Sequence, residues 1–239
     1  TSLASAATVL LINGSSGTSE PGTTASITTN LSALHTAAGN TVVVSSDVPV
    51  DLSPYAQVWD IRFSNVFAIT ASVQQQYLDF LNLGRSMFVM TRNNSVLALI
   101  QAAGGGLLNF VTPGSTQTVN APFTGPNAVA SITYAAPGGV SSSGTGAYIT
   151  QDGNGNGTGI AFGVGTLANA TAGALTTIFD VNFMMTTADA NSQALTKNLI
   201  QFLEDETGGP APVPLPAAGW LLIAGIGSLA ALRRRRKAA

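Results

Sequence analysis

Short apolar runs alternate with amphipathic stretches along most of the chain. Runs such as TVLLI at residues 8–12 and SMFVMT at 86–91 are typical of buried strands. The stretches 70–84 and 191–206 repeat their apolar residues with helical spacing, and Thr70 is placed to cap the first of them. Because strands and helices alternate, we predict an α/β fold with a mainly parallel sheet and helices on both faces.

Residues from about 107 to 165 break this alternation. They are rich in Gly, Ser, Thr, Asn and Pro, and they contain short β-like runs such as AVASITYAA and GIAFGVG. We therefore expect a β-rich insertion, or long loops, within an α/β body that spans residues 8–205. A strand over 174–184 then restores the α/β pattern.

Composition narrows the classes of function. Only 8% of the 239 residues are charged, and all eleven acidic residues but only four of the nine basic ones precede residue 233. An acidic body lacks the clustered Lys and Arg that phosphates require, so we expect no nucleic-acid partner. The absence of cysteine excludes disulfides, zinc-thiolate sites and thiol nucleophiles.

The two ends of the chain indicate export. TSLASAA at residues 1–7 has the small-residue spacing of a signal-peptidase site, and we interpret it as the end of a removed secretion signal or as an ordinary N-terminal tail. At the other end, a Pro/Gly linker at 206–216 precedes an uncharged run at 217–232 and a basic tail at 233–239.

The uncharged run predicts a transmembrane helix. Its 16 residues would extend about 24 Å as a helix, and the 20 uncharged residues from Val213 would extend about 30 Å, which is the hydrocarbon thickness of a bilayer. The basic residues that follow would remain in the cytoplasm, with the body on the opposite side of the membrane. The alternative is a C-terminal helix that packs on the core of the body.

The segment VPLPAAGWLLIAGIGSLAALRRRRKAA closely resembles the VPLPA-type variant of the PEP-CTERM sorting signal. Its motif comprises Val213, Pro214, Leu215, Pro216 and Ala217, and its basic cluster comprises Arg233, Arg234, Arg235, Arg236 and Lys237. The resemblance implies export across the inner membrane of a Gram-negative bacterium and cleavage by an exosortase. It further implies a periplasmic body that later reaches the cell surface or biofilm, with exopolysaccharide or other surface proteins as partners.

The body resembles class I glutamine amidotransferases in the order of its strands and helices. The stretches that carry the resemblance are YAQVWDIRFS, YLDFLNLGRSMFVMTRNN and FDVNFM. The family places a nucleophilic cysteine in the turn after a central strand, where this chain has TRNNS. The resemblance therefore implies a domain without the family's nucleophile, and amidotransferase activity is not expected.

Polar residues at the predicted strand ends are the candidate ligand-binding site, because open α/β sheets bind ligands beyond the carboxyl ends of their strands. The candidates are Asp60, Arg62, Arg92, Asn93, Asn94, Asp180 and Asn182. Two arginines in this set would suit a carboxylate or a network of sugar hydroxyls. The alternative is that these residues form structural ion pairs and loop hydrogen bonds.

Two other features are weaker candidates. His35, the only histidine, lies on a predicted helix, where we expect a partly exposed side chain without a catalytic role. DGNGNGTG begins like a calcium loop, with Asp152, Asn154 and Asn156 at ligand positions, but Gly163 stands where such a loop needs an acid. We interpret it as a Gly/Asn-rich turn, with weak Ca²⁺ binding as the alternative, and otherwise expect no cofactor.

These observations lead to one leading function and two alternatives. We expect an exported surface or extracellular-matrix protein whose body is a non-catalytic binding or structural module. The first alternative is a hydrolase-like enzyme that uses Asp60 or Asp180 for acid-base chemistry. The second is a periplasmic subunit whose membrane anchor is never removed.

Overall fold

The computed structural model describes residues 6–15, 17, 20–63, 69–91 and 94–206. The strands are β1 (Thr8–Ile12), β2 (Thr41–Ser45), β3 (Gln57–Asp60), β4 (Ser86–Met90), β5 (Phe110–Val111), β6 (Thr116–Val119), β7 (Ser131–Thr133), β8 (Gly139–Val140), β9 (Ala147–Gln151), β10 (Gly159–Phe162) and β11 (Ala174–Ile178). The helices are α1 (Pro21–Ala37), α2 (Ala71–Asn82), α3 (Leu97–Ala103) and α4 (Ala190–Glu206).

Nine of the strands form one sheet in the order β2-β1-β3-β4-β11-β10-β9-β6-β7. The strands β2, β1, β3, β4 and β11 pair in parallel, and we call them the parallel half. The strands β10, β9, β6 and β7 pair antiparallel, and we call them the antiparallel half. A separate two-stranded sheet joins β5 to β8.

The predicted α/β class is confirmed, but the sheet is not mainly parallel. The residues between 107 and 165 are β-rich as expected, and four of their strands extend the main sheet. β10 pairs with β11 along its whole length, from Gly159 opposite Ile178 to Phe162 opposite Leu175. This pairing satisfies the backbone groups on the side of β11 that faces away from β4, so the two halves share one continuous sheet.

Helices cover both faces of the sheet, as predicted. Alternate residues of β1 point to opposite faces. Val9 belongs to the core cluster that includes Leu31 of α1 and Leu199 of α4. Leu10 belongs to the second cluster, on the opposite face, which includes Phe80 of α2. We call these the α1/α4 layer and the α2/α3 layer.

Local signals set the helix boundaries. Thr70 caps α2 as predicted, because its side chain accepts a hydrogen bond of 3.3 Å from the backbone N–H of Val73. α3 ends at Gly104, which has a left-handed φ of 87°. A Cβ there would also lie 2.8 Å from Ala168 and Asn169, so two constraints require glycine.

One predicted strand is too long. The sequence suggests a strand over 174–184, but β11 ends at Ile178. The backbone turns because the carboxylate of Asp180 accepts hydrogen bonds from the N–H groups of Asn182 and Phe183. These N–H groups are therefore not available to a neighbouring strand.

The N-terminal residues 1–5 and all residues after 206 lie outside the described residues. The predicted sorting motif, transmembrane helix and basic cluster all fall after residue 206. So does the predicted linker except for Glu206, which is the last residue of α4. Of the helices within the described ranges, none has the length and apolar character needed to cross a membrane.

Candidate functional site

The carboxyl end of β3 carries a buried ion pair. Arg62 donates from Nε to Asp60 Oδ1 at 2.9 Å and from a terminal nitrogen to Asp60 Oδ2 at 2.8 Å. The Tyr77 hydroxyl of α2 donates to the same Oδ2 at 2.7 Å. The side chains of Arg62 and Asp60 are only 7% and 3% exposed. The site therefore presents almost no charged surface to solvent.

Asp60 stabilises the charged form of Arg62 and the protonated form of Tyr77. Burial alone would lower the pKa of Arg62, but the hydrogen bond to Asp60 and the charge of Asp60 raise it overall. Burial and the Asp60 charge raise the pKa of Tyr77 well above its ordinary value. Tyr77 thus keeps its proton and donates it in a hydrogen bond to the carboxylate. This geometry matches the structural ion pair that the sequence left open as an alternative.

The carboxyl end of β11 carries a second carboxylate, which is fully buried. Asp180 Oδ1 accepts from the backbone N–H groups of Asn182 at 2.7 Å and Phe183 at 3.1 Å. Its Oδ2 accepts from the N–H of Ala136 at 2.9 Å. Asp180 thus ties the segment after β11 to the segment after β7.

A cavity of about 320 Å³ lies beside these two segments, and we call it the strand-end cavity. Its lining includes Tyr134 and Ala135 of the segment after β7, and Asn182 and Phe183 of the segment after β11. Because Asp180 bonds to Ala136 and also to Asn182 and Phe183, it links the two segments that line the cavity. Asp60 and Arg62 are not among the lining residues.

Polar residues also line the strand-end cavity. They include Asn182, Thr187 and Asp189, next to the apolar Met185. Asp189 caps α4 by accepting from the N–H groups of Asn191 and Ser192, at 2.8 and 3.0 Å. The cap neutralises part of the carboxylate charge, because the N–H groups at the start of a helix carry a positive partial charge.

The two strand-end carboxylates face opposite layers of the protein. Asp60 contacts Tyr77, which belongs to the α2/α3 layer. Asp180 contacts Phe183, which belongs to the α1/α4 layer, as does Tyr134 of the cavity. The sheet therefore separates the two carboxylates, and they do not form a pair of facing acids.

The remaining strand-end candidates follow β4. Arg92 and Asn93 lie outside the described residues. Asn94 begins a short 3₁₀ turn that leads into α3, and its side chain is not described. Whether these three contribute to a site with Asp60 or Asn182 stays a prediction.

His35 is not partly exposed, as expected from the sequence, but fully buried. Its ring packs edge-on against Trp59, with 4.8 Å between ring centroids. Its Nδ1 lies 3.4 Å from the side-chain amide of Asn40, and its Nε2 has no hydrogen-bond partner among the described residues. Burial lowers the pKa of His35 from 6.5 to about 3, so the ring is neutral at physiological pH.

Asp152 organises the turn between β9 and β10. Its Oδ1 accepts from the N–H groups of Asn154 and Asn156 at 2.9 and 3.0 Å, and its Oδ2 accepts from Gly114 N–H at 2.8 Å. These bonds lower the pKa of Asp152. They are the bonds of an Asx-type turn. Across the described ranges, three or more acidic, His or Cys side chains do not come together as a potential metal site.

The sequence did not identify Tyr77, Thr187 or Asp189. Asp189 had an available signal, because an aspartate directly before an amphipathic stretch is a typical helix cap. Tyr77 had none, since its contact with Asp60 depends on how α2 docks against the sheet.

No family model matches the chain, and no curated protein matches it in sequence. Solved structures share its fold. A ThuA-like protein from Bacteroides uniformis is 11% identical, with a TM-score of 0.59 over 87% of this chain and 97% of that one. A glutamine amidotransferase from Thermotoga maritima is 8% identical, with a TM-score of 0.52 over 85% of this chain and 99% of that one.

A β-galactosidase from Rahnella sp. R3 also contains a similar region. It is 15% identical, with a TM-score of 0.55 over 89% of this chain but only 33% of the enzyme. At these identities the similarities concern the fold alone. The chain thus has an α/β body whose fold is similar to that of a glutamine amidotransferase and of a ThuA-like protein.

Proposed function

We propose that this chain is an exported bacterial surface or extracellular-matrix protein whose body binds a ligand without catalysing a reaction. An amidotransferase-like body without cysteine supports this, because that family's chemistry depends on a cysteine nucleophile. In this proposal the body has the amidotransferase-like fold but does not catalyse the family's reaction.

The observation that carries the proposal is the engagement of both strand-end carboxylates. A general acid or base needs a carboxyl group that can reach a substrate proton. Asp60 is bound by Arg62 and Tyr77, and Asp180 is bound by three backbone N–H groups. Both are buried on opposite sides of the sheet, which supports a structural role for each.

The chemistry of the strand-end cavity supports a neutral, polyhydroxylated ligand such as a sugar unit of an exopolysaccharide. The amide of Asn182, the hydroxyl of Thr187 and the carboxylate of Asp189 can exchange hydrogen bonds with hydroxyl groups. Phe183 and Met185 supply apolar surface for the C–H faces of such a ligand. The described residues that line the cavity include no Lys or Arg, which favours a neutral ligand over a sulfated or phosphorylated one.

Delivery is proposed from the sequence of the C-terminal segment alone. The Pro motif at 213–217, the uncharged run at 217–232 and the basic cluster at 233–237 occur in the order of a PEP-CTERM signal. In this proposal the chain crosses the inner membrane of a Gram-negative bacterium and stays anchored with its body in the periplasm. An exosortase then cleaves it near the Pro motif and releases it to the surface.

Mass spectrometry of the protein recovered from its native cells tests the delivery step. We expect a mature C-terminus near residues 213–217, and the intact C-terminus in cells that lack exosortase. The substitution Pro214→Ala with Pro216→Ala should increase the uncleaved fraction. An intact C-terminus on mature surface material would contradict the sorting signal and favour a permanently anchored subunit.

Calorimetric titration with exopolysaccharide purified from the native cells tests the binding site. Asn182→Ala should weaken binding at least 5-fold, because it removes an amide from the cavity wall. The matched control is Asn154→Ala, which removes an amide from the turn after β9 and should leave binding unchanged. The binding proposal fails if the polysaccharide does not bind or if both variants bind like the wild type.

A further inference from the structure

The strand β2 forms an open edge of the nine-stranded sheet. It pairs only with β1, and its other side has no strand partner among the described residues. Its sequence, TVVVS, contains no charge and no proline, and Val43 and Val44 are 38% and 48% exposed. Natural edge strands usually carry lysine, proline or a bulge that prevents pairing with another chain. β2 lacks all three.

The register with β1 shows which backbone groups of β2 are available. Thr41 N–H donates to Ala7 O, and Ser45 O accepts from Asn13 N–H. Since alternate residues of a strand direct their backbone groups to opposite sides, Thr41, Val43 and Ser45 bond towards β1. The N–H and C=O groups of Val42 and Val44 therefore point outward, which leaves four backbone groups at the open edge.

These four groups are self-complementary about Val43. We propose that two copies of this chain associate through β2, as an antiparallel pair with a two-fold axis at Val43. Val42 then lies opposite Val44 of the second copy, and each such pair exchanges two N–H···O bonds. The two pairs, Val42 with the second copy's Val44 and Val44 with its Val42, together satisfy all four outward groups of each copy.

The side chains fit the same arrangement. Val42 and Val44 lie on one face of the strand, so each Val42 meets a Val44 across the axis, which is a favourable β-branched pair. The two Val43 side chains meet directly on the other face, at a position where the Cα atoms approach to about 4.5 Å. The absence of charge from residues 41–45 means that no side chain in the strand opposes the pairing.

The opposite edge of the sheet does not offer the same surface. β7 has only three residues, Ser131–Thr133, and the exposed ones are Ser131 and Thr133. The hydroxyl of Thr133 bonds to that of Thr116 on β6. A short polar edge of this kind offers little apolar area, so the structure favours a closed dimer over an open chain of copies.

The test uses the full-length chain in a mild detergent, measured by sedimentation velocity over a range of protein concentrations. The wild type should show a concentration-dependent monomer–dimer equilibrium. Val43→Lys places two like charges directly opposite each other across the axis and should weaken dimerisation at least 10-fold. Thr133→Lys, which adds the same charge at the opposite edge, should leave the dissociation constant within 2-fold of the wild type.

A charge-swap experiment separates pairing from misfolding. Val43→Glu alone should dimerise as poorly as Val43→Lys, but an equimolar mixture of the two should restore dimers, because opposite charges then meet across the axis. The proposal is overturned if the wild type stays monomeric at the highest concentration. It is equally overturned if Thr133→Lys weakens dimers as much as Val43→Lys, or if the mixture stays monomeric. None of these outcomes depends on the identity of the ligand or on the fate of the C-terminal segment.

Discussion

The two halves of the sheet bury polar groups of different kinds. The parallel half and its helices bury ionisable groups, namely Asp60 with Arg62 at the end of β3, Asp180 after β11, and His35 against Trp59. The antiparallel half buries a network of neutral groups. Its members are Gln117 of β6, Thr150 of β9, Thr158 before β10 and Tyr134 after β7.

The neutral network is centred on Gln117. Its Nε2 donates to Thr158 Oγ1 at 2.7 Å, and its Oε1 accepts from Thr150 Oγ1 at 2.9 Å and from Thr158 N–H at 3.1 Å. The Tyr134 hydroxyl lies 3.0 Å from Thr150 Oγ1, and burial raises the pKa of Tyr134. The network therefore holds no group that changes its charge between pH 3 and pH 9.

This difference predicts which half of the sheet depends on pH for its stability. Buried charges are stable only with their partners, and a buried neutral histidine resists the proton that acid supplies. Hydrogen bonds among buried amides and hydroxyls involve no titrating group. They stop stabilising the fold only when a member is removed and its partners stay buried without a hydrogen bond. The parallel half should thus respond to pH, whereas the antiparallel half should respond to deletion of its hydrogen-bonding groups.

The largest effect should come from Asp60→Ala. It removes both charge-assisted bonds to a buried guanidinium, so we expect the free energy of unfolding to fall by about 4 kcal/mol. Urea unfolding monitored by circular dichroism measures it. Asp205→Ala, which removes an exposed aspartate of α4, should change it by less than about 0.5 kcal/mol. A loss below about 1 kcal/mol for Asp60→Ala would show that the ion pair is not a structural element of the parallel half.

The change in unfolding free energy that His35 causes between neutral and acidic pH should be somewhat smaller than the loss from Asp60→Ala. Because its pKa falls from 6.5 in the unfolded chain to about 3 in the folded protein, its contribution is complete above pH 6.5 and is lost as pH falls towards 3. Between pH 7 and pH 4 this corresponds to about 3 kcal/mol. His35→Leu should remove that part of the pH dependence. Equal slopes for the variant and the wild type would contradict a buried neutral histidine.

The smallest effect should come from Gln117→Ala in the antiparallel half. It leaves the Thr158 N–H without its acceptor, and we expect a loss of about 2 kcal/mol. The loss should be the same at pH 4 and pH 7, since the network has no titrating member in that range. Gln101→Ala, at an exposed position of α3, serves as the control. If the loss from Gln117→Ala varied with pH, the distinction between the two halves would not hold.

The sequence was a good guide to the parallel half for a physical reason. Strands that are buried on both faces appear as continuous apolar runs, so β1 and β4 were predicted almost to the residue. The antiparallel strands lie among Gly-rich and polar loops, and their partners follow from long-range pairing. Their position in the main sheet could therefore not be predicted.

The candidate site was predicted only in part. The strand-end rule identified Asp60 and Asp180. Which layer each side chain faces depends on how its strand and the following turn are oriented in the folded sheet. The burial of His35 did have a signal, because Thr24, Ile27, Leu31 and His35 recur at intervals of three or four and share the buried face of α1. His35 on that face was wrongly expected to be partly exposed.

The position of β11 has a consequence for the order of events during synthesis. It is the fifth of the nine strands across the sheet but comes after all the others in the chain. Until residues 174–178 have emerged, β4 and β10 have no common neighbour and both keep an unsatisfied edge. The nine-stranded sheet can therefore be completed only after almost the entire body has been synthesised, and the edges of β4 and β10 stay open to pairing with other strands until then.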